Sequence, residues 1–238
     1  MPRFYLKQVL TIGENLPLPQ EVVNHINVLR LKLSEIITLF DGCGNSYQAQ
    51  IMHWDRKEVV VEIINKNDPE TQAKLVPLHI GLSLISQDKL DLAIQKLVEL
   101  GVSEISLIES QHSQRIKAER LANRINHWQN IIISSCEQCG LNILPKLNPP
   151  IKLEEFITKQ STNSNNFIMS LRGNAIGLNL VKLKPVNLLI GPEGGFSENE
   201  EALAVKNNFK QYKLDTPVLK AETAAIVTAG IFRYLTNN

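Results

Sequence analysis

The run Leu189-Ile190-Gly191-Pro192-Glu193-Gly194-Gly195-Phe196-Ser197 has the residue types of a ligand-binding turn: an apolar stretch, three glycines, one carboxylate and a helix cap. Glycines at the end of a strand leave main-chain N–H and C=O groups uncovered, so a ligand can approach the backbone closely. No Gly-Lys-Ser/Thr follows and the Gly-x-Gly-x-x-Gly spacing is missing, which excludes a Walker loop and a dinucleotide fingerprint. A tight strand-to-helix turn without a ligand remains the alternative for this run taken alone. A second stretch, Leu214-Asp215-Thr216-Pro217-Val218-Leu219-Lys220-Ala221-Glu222-Thr223-Ala224, repeats the arrangement one unit later. Its main-chain groups could hydrogen-bond an adenine edge or an amino-acid carboxylate without a dedicated side chain. Together the two loops describe a pocket walled by backbone.

Other constellations carry less chemistry. Cys136-Glu137-Gln138-Cys139 sits late in a helical pattern and has no second cysteine or histidine pair to complete four ligands, so no metal site is expected there. Buried small residues at helical spacing explain it better. The histidines form no His-Glu-x-x-His and no serine lies in a Gly-x-Ser-x-Gly elbow, so hydrolase chemistry finds no support. Arg115, Lys117, Arg120 and Arg124 give one stretch four cations against the single acid Glu119. A solvated helix face is the ordinary origin of such a run, yet Arg115 and Lys117 are also the best local contacts for phosphate.

These loops need a scaffold, and the periodicity supplies one. From Val76 onward, short apolar runs alternate with amphipathic stretches, the pattern of a mainly parallel α/β sheet. The expected strands are His79 to Ile85, Glu104 to Ile108, Asn166 to Leu171, Val186 to Ile190 and Gln211 to Leu214. A helix from Asp88 to Leu100 aligns Leu90, Ile94, Leu97 and Val98 and stops at Gly101. A second is expected from Ala118 to Cys139, ended by Gly140, and a third begins at Ser197, whose spacing to Glu200 is a capping box. The last, Glu222 to Leu235, is apolar nearly all round and is expected to be buried in the core or against another subunit. The first seventy residues read differently. Glu35 to Phe40 and Tyr47 to Ile51 flank the turn Asp41-Gly42-Cys43-Gly44-Asn45 as a hairpin, with strands at Val59 to Ile64 and near Phe4 and a helix from about Pro19 to Leu29. The polar segment Asn65 to Thr71 reads as the linker, giving domains 1–70 and 74–238.

Composition narrows the function. The 238 residues are 43% hydrophobic and 21% charged, ordinary for a globular chain. The formal net charge of +1 excludes a protein held to nucleic acid by bulk charge. The first seventy residues carry 7 Lys/Arg against 9 Asp/Glu, so any RNA contact there falls to a few placed residues such as Arg3, Arg30 and Lys32. Three cysteines form no disulfide framework and suit a reducing compartment. No apolar run approaches the roughly 20 residues of a membrane span, and the N-terminus has no signal-peptide h-region. A cytoplasmic protein with no membrane association is expected.

The order of these motifs resembles a known family. Lys89 to Val102, Trp128-Gln129, Cys136-Glu137-Gln138-Cys139-Gly140, Gly191 to Gly195 and Leu219 to Ala224 look like the RsmE family, the bacterial 16S rRNA uridine-N3 methyltransferases of the SPOUT superfamily. His25, Val28 to Lys32 and Leu39 to Gly42 resemble that family's PUA-like β-barrel, so the likeness covers nearly the whole chain. It implies an α/β fold: a C-terminal SPOUT α/β-knot domain with a deep trefoil knot, behind an N-terminal PUA-like β-barrel for RNA recognition. It implies S-adenosyl-L-methionine as cofactor, 16S rRNA or the small ribosomal subunit as partner, and a homodimer. Carried over, the cofactor loops are Ser170 to Gly173 with Leu171, then Gly191, Pro192, Glu193, Gly194 and Gly195, then Leu214, Val218, Leu219, Glu222 and Thr223. Arg172 and Lys220 are the expected catalytic cations, stabilising negative charge on the target base, while Glu193 and Glu222 would organise their loops by accepting backbone N–H bonds. The chain departs from the family pattern: Pro217 and Lys220 stand where arginines are usual, and Ser110-Gln111-His112 replaces the usual Ser-Glu-Arg. An RNA-binding module of this fold without methyl transfer is the competing reading; an α/β enzyme acting on a small anion is a third.

Overall fold

The structure, a computed structural model, describes residues 1–67, 75–160, 163–175 and 184–237. The chain divides into two compact units: residues 1–74 with 136–144, and residues 75–135 with 145–238. Positions 68–71 of the expected linker lie outside the described residues, whereas Asn65 and Lys66 are the last residues of a strand. That residues 136–144 group with the first unit is announced by no shift in composition.

The first unit contains β1 (Arg3–Tyr5), β2 (Asn15–Pro17), α1 (Gln20–Leu29), β3 (Ile36–Phe40), β4 (Ser46–Trp54) and β5 (Val59–Lys66). They form a five-stranded sheet in the order β1-β3-β4-β5-β2, with β1 parallel to β3 and the other pairs antiparallel. The β3–β4 turn follows from Asp41, whose Oδ1 accepts from the N–H of Cys43 at 2.7 Å and of Asn45 at 3.1 Å. Gly42 (φ 76°) and Gly44 (φ 110°) supply the left-handed backbone that this turn requires. Helix α1 buries Val22, Val23 and Ile26 in a core with Phe4, Leu39, Ile51 and Ile63. The segment 136–144 is bonded to the same unit: Tyr5 N–H donates to Glu137 Oε1 at 3.0 Å, and Leu144 N–H to Gly42 O at 3.0 Å. Burial pushes the Cys136 thiol up to about 12, which disfavours the thiolate needed for redox or metal chemistry at that residue.

The second unit runs β6 (Leu78–Ser83), α2 (Gln87–Glu99), β7 (Glu104–Glu109), α3 (Ala118–Cys139, entering the first unit at Cys136), β8 (Lys146–Lys152), α4 (Leu153–Lys159), β9 (Asn165–Ala175), β10 (Val186–Ile190), α5 (Glu198–Lys206), β11 (Lys210–Lys213) and α6 (Ala221–Asn237). Its six strands are all parallel, in the order β11-β9-β10-β6-β7-β8. The first three strands are laid down in one direction, and the chain then returns to place β10 between β9 and β6. Such a reversal of order opens a crevice at the carboxyl ends of the strands. Ile80, Leu82, Ile105, Leu107 and Leu188 are fully buried in this sheet, as strands covered on both faces must be.

Two polar devices hold this unit. Near the amino ends of the strands, His79 Nε2 lies 2.8 Å from Ser106 Oγ, which also accepts from Asn148 Nδ2 at 2.8 Å. Burial holds the His79 imidazole below its ordinary value. The Arg233 guanidinium donates to Leu100 O (3.2 Å) and Gly101 O (2.6 Å), just past the end of α2, and to Val76 O (2.7 Å) ahead of β6. Helix α6 buries Ala225, Ala229 and Phe232 on one face and leaves Tyr234 67% exposed on another.

Candidate functional site

Strand β9 and the two loops that follow β10 and β11 converge on one cavity of about 320 Å³, so Ser170 to Gly173, expected as a cofactor loop, lie within a strand instead. Its walls are 169–172 from β9, 190–196 after β10 and 213–219 after β11, closed by Ala221, Ala224 and Thr228 on one face of α6. This volume lies at the lower end of the range for small-molecule pockets, roughly 300–1,000 Å³. The Gly-rich turn is shaped by its glycines. Gly195 adopts φ 68°, which a side chain would strain, and its N–H donates to Pro192 O at 2.9 Å. A Cβ on Gly191 would lie 3.3 Å from Gly195 Cα, and one on Gly194 would lie 3.3 Å from His112 Cβ. His112 Nδ1 is itself 3.2 Å from Gly195 O. The turn is thus packed from behind and open in front, a cradle for an elongated ligand held by backbone groups. Helix α5 follows directly, its capping box complete: Ser197 Oγ accepts from Glu200 N–H and the Glu200 carboxylate accepts from Ser197 N–H.

Of the residues expected to hold a cofactor, Leu171, Gly191, Pro192, Glu193, Gly194, Gly195, Leu214, Val218 and Leu219 line the cavity, as does the catalytic candidate Arg172. Lys220, Glu222 and Thr223 are not in its wall, although their helix neighbours Ala221 and Ala224 are. Of the two glutamates expected to accept backbone N–H bonds, Glu193 accepts one from its own main chain and has Lys89 as its principal partner. Glu193 accepts from Lys89 Nζ at 2.6 Å, which holds its carboxyl below the usual range and raises the lysine. Glu222 is buried, and its Oε2 has no hydrogen-bond partner.

Sequence reading missed Glu201. It is only 7% exposed, lines the cavity and gathers three donors: Ser170 Oγ at 2.6 Å, Arg172 Nη1 at 3.2 Å and Gln211 Nε2 at 3.0 Å. Arg172 also places Nη2 3.3 Å from Glu198 Oε1. A glutamate early in a helix ordinarily faces water, and only the unpaired polarity of Ser170 and Arg172 on the facing strand could have pointed to it.

The RNA-contact candidates separate. Arg3 donates to Gly140 O at 2.9 Å and to Asn142 Oδ1, and lies 5.5 Å from the Phe40 ring centre, so its guanidinium serves the first unit's interior. Arg30 provides the left-handed C-cap of α1 (φ 57°) with an exposed side chain, and Lys32 is exposed. In the second unit Arg115 and Lys117 are exposed, in the irregular segment ahead of α3 rather than on a helix face. Among the described residues, His53, Asp55 and Glu58 are a group whose ligand atoms lie within 4.8 Å. All three are exposed, and Asp55 Oδ1 already accepts from the N–H of Lys57 and of Glu58, as an ordinary turn residue does. No helix of the described residues is long and apolar enough to cross a membrane.

Comparison with known proteins agrees with this geometry. The model of the RNA methyltransferase domain family matches residues 71–233, and that of the RNA methyltransferase PUA domain matches residues 18–64. The ribosomal RNA small subunit methyltransferase E of Buchnera aphidicola subsp. Schizaphis graminum is 30% identical over 95% of this chain and 93% of its own. That of Helicobacter pylori strain J99 is 33% identical over 83% of each chain. The crystal structure of the Neisseria gonorrhoeae ribosomal RNA small subunit methyltransferase E bound to S-adenosyl methionine is 33% identical and superposes with a TM-score of 0.91, covering 99% of this chain and 98% of that one. The fold class is therefore an α/β RNA methyltransferase domain preceded by an RNA methyltransferase PUA domain, as the sequence implied at that level. With that cavity at the reversal of a parallel sheet and both family models matched in order, the chain belongs to the RNA methyltransferase family.

Proposed function

We propose that this protein methylates N3 of one uridine in 16S rRNA, using S-adenosyl-L-methionine bound in the cavity between strand β9 and the loops after β10 and β11. The convergence of 169–172, 190–196 and 213–219 on that cavity is the observation that carries the reading. The cofactor supplies an electrophilic methyl group on a sulfonium. This chain's residues do the rest. Gly191, Gly194 and Gly195 admit a ligand to the main chain, Leu214 and Leu219 give apolar wall, and the exposed Leu171 and Val218 form a rim suited to a base or a second subunit. A uridine N3 proton has a pKa about three units above neutral, so cations that favour the anion speed the displacement. Arg172, which lines the cavity, would supply one such cation, and the exposed Lys220, next to Leu219 in the chain, would serve from the rim.

The same reading assigns RNA contact to Arg30, Lys32, Arg115 and Lys117, and places the enzyme in the cytoplasm as a homodimer acting on rRNA or the small subunit. Because the chain is nearly neutral, its RNA affinity should show a shallower salt slope than that of a basic-domain binder. Mass mapping of 16S rRNA from cells with and without the gene tests the reading: one uridine should lose a methyl group in the deletion and regain it when purified protein and labelled cofactor are added. An unchanged methylation pattern would overturn it.

A further inference from the structure

Resting on the assignment of this cavity to a sulfonium cofactor, a further property follows from the placement of charge. Four charged side chains line the cavity among the described residues. Arg172, Glu193 and Lys213 are exposed, and Glu201 is buried. Water and salt screen the first three, whereas a charge in the wall acts through a medium of lower polarity. Both oxygens of Glu201 accept hydrogen bonds, from Ser170, Arg172 and Gln211. Its one cationic partner, Arg172, is half-exposed and divided between Glu201 and Glu198. The wall at this point therefore keeps a negative bias.

We infer that Glu201 makes the cavity select the charged cofactor over its demethylated product. The two ligands share their adenosine and amino-acid ends, so backbone contacts from the Gly-rich turn cannot tell them apart. They differ by one methyl group and the positive charge it places on sulfur. When the methyl leaves, the C–S bonding pair stays on sulfur as a neutral thioether, the new N3–C bond forms, and the N3 proton passes to solvent. In a cavity of about 320 Å³ the sulfur stays within about one Debye length of the wall, roughly 8 Å at physiological ionic strength. The buried carboxylate then favours the ligand that enters and relaxes its hold on the ligand that leaves. If Glu201 merely positioned Ser170 and Arg172, its loss would weaken both ligands alike.

Calorimetric titration of the full chain with S-adenosylmethionine and with S-adenosylhomocysteine separates these cases. Glu201→Gln keeps the shape and removes the charge, and should lower the preference for cofactor over product by about fivefold or more, on the order of 1 kcal/mol. Glu201→Asp should retain the preference. An unchanged ratio in Glu201→Gln, or equal weakening of both ligands, overturns the inference. A second measurement needs no variant: a cofactor analogue with a protonated amine in place of the sulfonium should bind wild-type protein more tightly than the product does, and binding no tighter is equally fatal. Should wild-type protein bind none of the three ligands, the methyltransferase reading itself fails, a result distinguishable from a lost preference.

Discussion

Lys89 Nζ lies 2.6 Å from Glu193 Oε1, so the first turn of α2 is tied to the Gly-rich turn of the cavity wall. Both side chains are more than a third exposed, and ion pairs of that kind contribute little to global stability. The pair acts locally, on the turn that forms part of the cavity wall. Lys89→Ala should leave the urea midpoint nearly unchanged while weakening cofactor affinity severalfold by calorimetry, with the gap closing at high salt. Equal affinities would mean that the glycine turn holds its shape without the lysine.

Gly173 and Gly195 should fail for different reasons when changed to alanine. A Cβ at Gly173 would lie 2.6 Å from Tyr212 N, backbone of the neighbouring strand that cannot step aside. Such overpacking costs about 1–3 kcal/mol. At Gly195 nothing lies within 4 Å of the added atom, and the penalty is conformational, from φ 68°. About 1–2 kcal/mol is expected there. Urea unfolding reads both, and in Gly195→Ala cofactor binding should suffer more than stability does.

His79 should make stability depend on pH. Burial holds the folded imidazole below its ordinary value of 6.5, so the folded state prefers the neutral ring. The resulting stabilisation is present above that unfolded value and is lost as pH falls through the folded one. Glu104, whose carboxyl is lowered by Asn148, His79 and Lys146 against the opposing effect of burial, adds a second loss only at more acidic pH. Between pH 7.5 and 5.5 the urea midpoint of the wild type should therefore drop, and in His79→Gln the drop should be smaller. Parallel curves for the two proteins would rule out this origin.

Arg233 closes the end of α2 from a distant helix, and replacing it with methionine keeps much of the stem while removing three donors. Leaving those carbonyls unsatisfied should cost about 2–4 kcal/mol. Denaturant titration of Arg233→Met checks the figure, and Arg233→Lys, which cannot span three acceptors, should recover only part of the loss.

Much of the architecture was legible because local rules and tertiary packing agree. The limits of α3, Ala118 to Cys139, follow from periodicity and Gly140, and the Ser197–Glu200 cap follows from spacing. Strand β8 and helix α4 went unanticipated because the strand reads Lys-Leu-Asn-Pro-Pro-Ile-Lys, and two prolines argue against a ladder. An edge position reconciles them, since an edge strand has a side with no partner to supply, and the short β2 escaped notice at an edge for similar reasons. The cavity's glycine turn could be read from sequence because backbone-shaped sites declare themselves through glycine and proline. Glu201 could not, since its burial depends on β9 and β11 arriving beside α5, a juxtaposition with no local signature.

The prolines of β8 have one more effect. Pro149 and Pro150 fall where the register with β7 shifts, between the pairs Ser106–Asn148 and Ile108–Ile151. Two successive residues without an N–H, at an irregular point, interrupt the row of donors that an incoming strand would need. At the opposite margin β11 is four residues long with a lysine at each end. Among the described residues β8 and β11 end the sheet, and an all-parallel sheet ending so would otherwise invite another molecule to continue it, a pairing these few residues oppose.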